Sequence, residues 1–142
     1  MKAKEYQAQY GRGATTSAPA QGQPSTKPKS TSQANALTKA AIQLLQLRGW
    51  HAWRQNNAAV YDASFGGYRK GSTTLGISDV LAFHKATGRF GAVEIKWGKD
   101  TLSDEQAAFL ADVIAAGGFG CECRSLEQLD KELAIYLDSL HP

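Results

Sequence analysis

Two apolar runs of strand length, "ISDVLAFH" (77–84) and "FGAVEIKW" (90–97), are separated only by "KATGR". Runs this short, this close and this rich in β-branched and aromatic residues form a β-hairpin, with Gly88 supplying the backbone freedom of the turn. Any fold open to this chain must therefore place the two runs side by side. Yet the second run carries Glu94 and Lys96 between Val93, Ile95 and Trp97. A charge in a buried strand costs several kcal/mol (roughly 2–7 even for a neutral polar group) unless it is paired or bound to an ion.

The strand period puts Glu94 and Lys96 on one face. The turn decides what else reaches that face. A two-residue turn at Ala86-Thr87 pairs Phe83 with Phe90 and Asp79 with Glu94. A turn at Thr87-Gly88 pairs Asp79 with Lys96 instead. Both registers place Asp79 on the face of Glu94 and Lys96, and a three-residue turn would remove it. Two neighbouring carboxylates repel unless a cation lies between them. An oxygen-rich site with open positions suits Mg²⁺ or Mn²⁺, and Lys96 would then face a metal-bound water or a phosphate. A Glu and a Lys two apart can equally be a solvent-facing pair on an open sheet face.

The flanking elements follow from periodicity. "NALTKAAIQLLQLRGW" has Leu37, Ala40/Ala41, Leu44/Leu45 and Leu47 at helical spacing and ends at Gly49. "WHAWRQN" reads as a short strand, and 58–76 as strand-like pieces broken by Gly66-Gly67, Gly71 and Gly76. "SDEQAAFLADVIAAGG" is a helix with Ser103 and Gln106 forming a capping box. "FGCECR" is a last strand and "SLEQLDKELAIYLDSL" a last helix capped by Ser125. The expected order is helix, three-stranded meander, helix, strand, helix: an α/β fold.

Residues 1–33 differ in kind. They are poor in apolar side chains and rich in Gln, Ser, Thr, Pro, Gly and Ala, a composition that favours a disordered basic arm ahead of a single domain over 34–142. The chain carries a net charge of +3. Residues 54–89 contribute Arg54, Arg69, Lys70, Lys85 and Arg89 against Asp62 and Asp79, a basic centre that suits a polyanion. No apolar run is long enough to span a bilayer, and no secretory leader is visible, so the cytoplasm is the expected compartment. Cys121 and Cys123 are too few for a disulfide framework or a closed zinc site and read as small buried hydrophobes.

"GISD", "VEIK" and "LSDEQAAFLADVIAAGG", in this order and spacing, resemble the PD-(D/E)xK nuclease superfamily. The match is to its VRR-NUC type, found in phage and bacterial proteins and in eukaryotic structure-specific nucleases. The resemblance spans about residues 34–130. It implies a restriction-endonuclease-like core with a central mixed sheet flanked by helices. It also implies Asp79 and Glu94 as metal ligands with the Ile95 carbonyl, Lys96 as the catalytic lysine, and Gln106 completing the site from the helix. "WRQNN" is similar to the family's Arg-Asn segment, which makes Arg54, Asn56 and Asn57 candidates for site support or DNA contact. Arg69 and Lys70 are candidate phosphate contacts. Two departures stand out: Ser78 takes the place of the family's usual Pro, and no acid lies between Glu5 and Asp62, where many members carry a first-helix glutamate.

The resemblance implies a Mg²⁺-dependent (or Mn²⁺-dependent) DNA endonuclease acting on branched or junction DNA in a bacterial or phage-infected cell, and by analogy a homodimer. The missing helix acid motivates an alternative, a DNA-binding module that keeps the fold without the chemistry. A third reading makes the last helix a partner-binding surface.

Overall fold

The computed structural model describes residues 29–69 and 71–141. Helix α1 spans Lys29–Leu47. It starts inside the segment expected to belong to the arm, because polar residues extend a helix cheaply once its downstream turns are packed. The rest of that arm lies outside the described residues. Leu37, Ala41 and Leu45, four residues apart, form the buried stripe of α1.

Strand β1 (Trp50–Arg54) follows at once, alternating inward Trp50 and Ala52 with outward His51 and Trp53. Trp50 is fully buried beside His84, Phe119 and Tyr136. It also explains Gly91 on the neighbouring hairpin: a Cβ there would lie 2.9 Å from Trp50 Cζ3, so the indole needs a bare backbone beneath it.

The connection from β1 carries a separate two-stranded antiparallel ribbon, β2 (Val60–Asp62) and β3 (Gly67–Arg69). Then come β4 (Val80–His84) and β5 (Phe90–Ile95), helix α2 (Asp104–Ala115), β6 (Phe119–Cys123) and helix α3 (Leu126–Ser139). The main sheet has the order β1-β4-β5-β6. The first three strands form an antiparallel meander, and the α2 crossover brings β6 in parallel to β5, so the sheet is mixed. This is the expected α/β architecture, with the ribbon as an insertion into the meander.

The hairpin takes the first of the two registers the sequence allows. Phe83 pairs with Phe90 and Val80 with Val93, which brings Asp79 level with Glu94. Helices α1 and α3 cover one sheet face, where Leu129 and Leu133 of α3 are fully buried and Cys121 and Cys123 are free and packed in the core. Leu129 and Leu133 of α3 are thus spent on the core, against the partner-helix reading, while Leu126 and Ile135 remain exposed. Helix α2 covers the other face with Leu110 and Val113 on Leu81 and Ala92.

Candidate active site

Three elements converge where β4 begins and β5 ends. Asp79 lies just before β4, where its backbone carbonyl accepts from Gln55 N–H at 2.7 Å. Its side chain reaches across the hairpin: Oδ2 accepts from Ile95 N–H at 3.0 Å. The N–H and C=O of one strand residue face the same neighbour, so the Ile95 carbonyl is turned toward the Asp79 side. Glu94, only 2% exposed, accepts at Oε1 from Gln106 Nε2 at 2.7 Å. Its other oxygen, Oε2, is buried with no hydrogen-bond partner among the described residues.

Lys96 is also buried, with Nζ 3.6 Å from Glu94 Oε1 and 3.5 Å from Asp100 Oδ2. Burial, reinforced by the nearby Asp79 carboxylate, pushes the Glu94 carboxyl up to about 8, while the Lys96 ammonium pulls the other way. One ammonium therefore does not balance the buried negative charge.

These side chains open onto a cleft of about 250 Å³, closed on its far side by Asn35 and Thr38 of α1 and by Arg54 of β1. Arg54 Nη2 donates to Asn35 Oδ1 at 2.8 Å. Among the described residues no trio of His, Cys, Asp or Glu gathers into one cluster. The donor set is two carboxylates and a carbonyl, with one carboxylate oxygen unpartnered. Hard oxygen ligands with room for water fit a divalent cation such as Mg²⁺ or Mn²⁺. A larger groove of about 480 Å³ runs along α2 past Leu81, Phe90 and Val113 and contains none of these groups.

The VRR-NUC domain matches residues 25–127, which include the meander, α2, β6 and every residue of the cleft. The chain belongs to the VRR-NUC family. This family is a PD-(D/E)xK-type nuclease domain family, and the mixed sheet flanked by helices is its restriction-endonuclease-like fold. No curated protein and no solved structure gives a significant match.

Within this VRR-NUC domain, Asp79, Glu94, Ile95, Lys96 and Gln106 all line the cleft, together with Arg54. Asn56 and Asn57 do not. Asn56 Oδ1 accepts from Ala58 N–H, and Asn57 Nδ2 donates to the Ile77 carbonyl at 3.0 Å. Arg69 lies on the ribbon, paired with Asp62. Lys70 is outside the described residues.

Sequence reasoning missed Asn35, Thr38 and Asp100 as cleft residues. For Asp100 a signal existed, an acid four positions after Lys96. For Asn35 and Thr38 none did, since their approach depends on how α1 packs. They do explain the absent first-helix acid: the α1 side of the cleft is lined by an amide and a hydroxyl, with the Arg54 guanidinium held against the amide.

Proposed function

We propose that this VRR-NUC domain is a divalent-metal-dependent DNA endonuclease acting on branched DNA. The observation that carries the reading is the buried, unpartnered Glu94 Oε2 on the same face as Asp79 and Lys96. Asp79, Glu94 and the Ile95 carbonyl would hold Mg²⁺ or Mn²⁺. When bound, the ion polarises a phosphoryl oxygen and acidifies a coordinated water.

The chain's own groups do the rest. Gln106 fixes Glu94 through Oε1, which leaves Oε2 available to hold the ion. Lys96 is held between Glu94 and Asp100, so its ammonium is already desolvated and oriented where charge grows on the phosphate as water adds. Arg54, on the opposite wall, offers a planar guanidinium to a phosphate of the same strand. Water adds to phosphorus and gives up one proton to solvent, the ester P–O bond breaks, and the leaving oxygen takes a proton from solvent.

The test is a panel of linear, flap, fork and four-way DNAs incubated with Mg²⁺ or with EDTA, for the natural chain and for Lys96→Ala. Metal-dependent cutting of the branched forms that disappears in the variant supports the reading. Binding without cutting supports the second reading, a non-catalytic DNA-binding module, which is favoured by one observation: α1 presents no carboxylate to the cleft. A homodimer would supply two such clefts for paired cuts on a junction, and sedimentation with and without DNA tests it. The two free, buried cysteines support a reducing compartment, the cytoplasm of a bacterial or phage-infected cell.

A further inference from the structure

Eight residues of the ribbon place three aromatic rings in water. Tyr61 is 59% exposed, Phe65 69% and Tyr68 72%. Tyr61 and Tyr68 pair directly across β2 and β3, so both rings stand on one ribbon face, 5.4 Å apart and nearly edge-on. On the opposite face Arg69 is paired with Asp62 and lies 6.0 Å from the centre of the Phe65 ring.

The cross-strand tyrosine contact helps hold the ribbon together. It leaves most of each ring uncovered, because among the described residues neither β2 nor β3 packs on another helix or strand. A two-stranded ribbon is marginal by itself. This one is rooted at its foot by backbone contacts. Asn57 Nδ2 holds the Ile77 carbonyl, and the Gly71 backbone lies against Ala58. Gly76 (φ +70°) passes so close to the Glu105 carbonyl that a side chain there would collide with it. A groove of about 390 Å³ occupies this foot, lined by Asn57, Gly76, Ser103 and Gln106. Gln106 also lines the catalytic cleft. The ribbon therefore springs from a groove that adjoins the cleft and shares Gln106 with it.

We propose that the β2–β3 ribbon engages unpaired nucleotides of the DNA substrate, whose bases stack on Tyr61 and Tyr68 next to the cleft. This rests on the nuclease reading above and names the part of the substrate that the ribbon takes. Charge favours DNA over an apolar protein partner: the ribbon and its exit, residues 60–71, carry Arg69 and Lys70 against the single acid Asp62. Stacking favours unpaired nucleotides over duplex. Two neighbouring rings need successive free base faces on one strand, which an unpaired arm offers and a blunt duplex does not. Such contacts are tolerant of sequence, which suits a ribbon whose Arg69 and Ser64 are bonded to Asp62.

The test is binding in EDTA, by fluorescence anisotropy, to a labelled flap with an unpaired arm and to a blunt duplex of equal length. Three proteins are compared: the natural chain, the Tyr61→Leu/Tyr68→Leu double variant, and the Tyr61→Phe/Tyr68→Phe double variant, which keeps the rings if the leucines unfold the ribbon. The leucine variant should bind the flap about tenfold more weakly. Its blunt-duplex binding should be unchanged, and the phenylalanine variant should bind both DNAs like the natural chain. Equal loss on both DNAs, no loss on the flap, or loss in the phenylalanine variant overturns the proposal. So does a shift from dimer to monomer in the leucine variant with flap affinity intact, which would assign the ribbon to a second copy. Because binding is read without metal, a failure here leaves the Lys96→Ala cleavage result standing, and a failure of cleavage leaves this result standing.

Discussion

Gln106 donates from Nε2 to Glu94 Oε1 at 2.7 Å and accepts at Oε1 from Ser103 N–H at 2.9 Å, so one amide both caps α2 and fixes a buried carboxylate of the candidate site. Helix start and active site are thereby one structure. The two roles separate by mutation. Ser103→Ala removes the other half of the capping box, Ser103 Oγ accepting from Gln106 N–H, without touching Glu94. Ser103→Ala and Gln106→Ala should each cost about 1 kcal/mol in urea denaturation. Only Gln106→Ala should also reduce metal-dependent cleavage, and equal activities in the two variants would refute a positioning role for Gln106.

Lys96→Ala removes the one ammonium within reach of Glu94 among the described residues. Cleavage of branched DNA should fall about 10²- to 10³-fold, the usual loss when a preoriented charge-stabilising group is deleted. DNA binding in EDTA should change little, since Lys96 is 6% exposed. Single-turnover cleavage beside an anisotropy titration checks both halves.

The Glu94 carboxyl ordinarily ionises near 4.5 but is pushed up to about 8 by burial and by Asp79. Between those two values the folded chain holds a proton that the unfolded chain has lost. The stability that this proton confers is complete below about 4.5 and disappears as pH rises through about 8. In EDTA the natural chain should therefore lose stability across that window relative to Glu94→Gln, whose amide does not titrate. Parallel pH profiles of urea midpoint for the two proteins would contradict the assignment. Added Mg²⁺ should reduce the loss at the alkaline end, because only the carboxylate binds it.

Gly76→Ala tests the link between ribbon foot and site. The added methyl group meets the Glu105 carbonyl and the Gln106 N–H at the first turn of α2, at a backbone angle that L-residues avoid. The expected cost is about 1–3 kcal/mol. Cleavage should drop as well, since Gln106 must move with its helix. Gly91→Ala provides the contrast: it crowds Trp50 in the core, away from the cleft, and should lower the melting temperature with activity per folded molecule preserved.

The hairpin that carries the chemistry was legible in the sequence because strand parity is an all-or-none property. Once the loop between His84 and Arg89 had an even count, Asp79, Glu94 and Lys96 had to share a face, and a one-residue slip would have placed two charges in the core. Ser103 and Gln106 were legible through the spacing of a capping box, and Cys121 and Cys123 through alternation. Gln106's second bond was not, because it depends on how α2 docks on the sheet. The contributions of Asn35, Thr38 and Asp100 were hidden for the same reason: each depends on tertiary placement. Strands β2 and β3 were only hinted at, since three residues are too few to show a period. The start of α1 at Lys29 was missed because its first turns are polar on every side.

Asp79, Glu94, Lys96 and Gln106, the groups proposed to do the chemistry, all follow the ribbon in the chain: just before β4, at the end of β5, just after it, and on α2. The ribbon occupies the link from β1 to β4, which lengthens or shortens at little entropic cost and leaves the hairpin pairing alone. In a lineage of such domains, heritable change in substrate preference can therefore accumulate in that link while the bond-breaking apparatus is passed on intact.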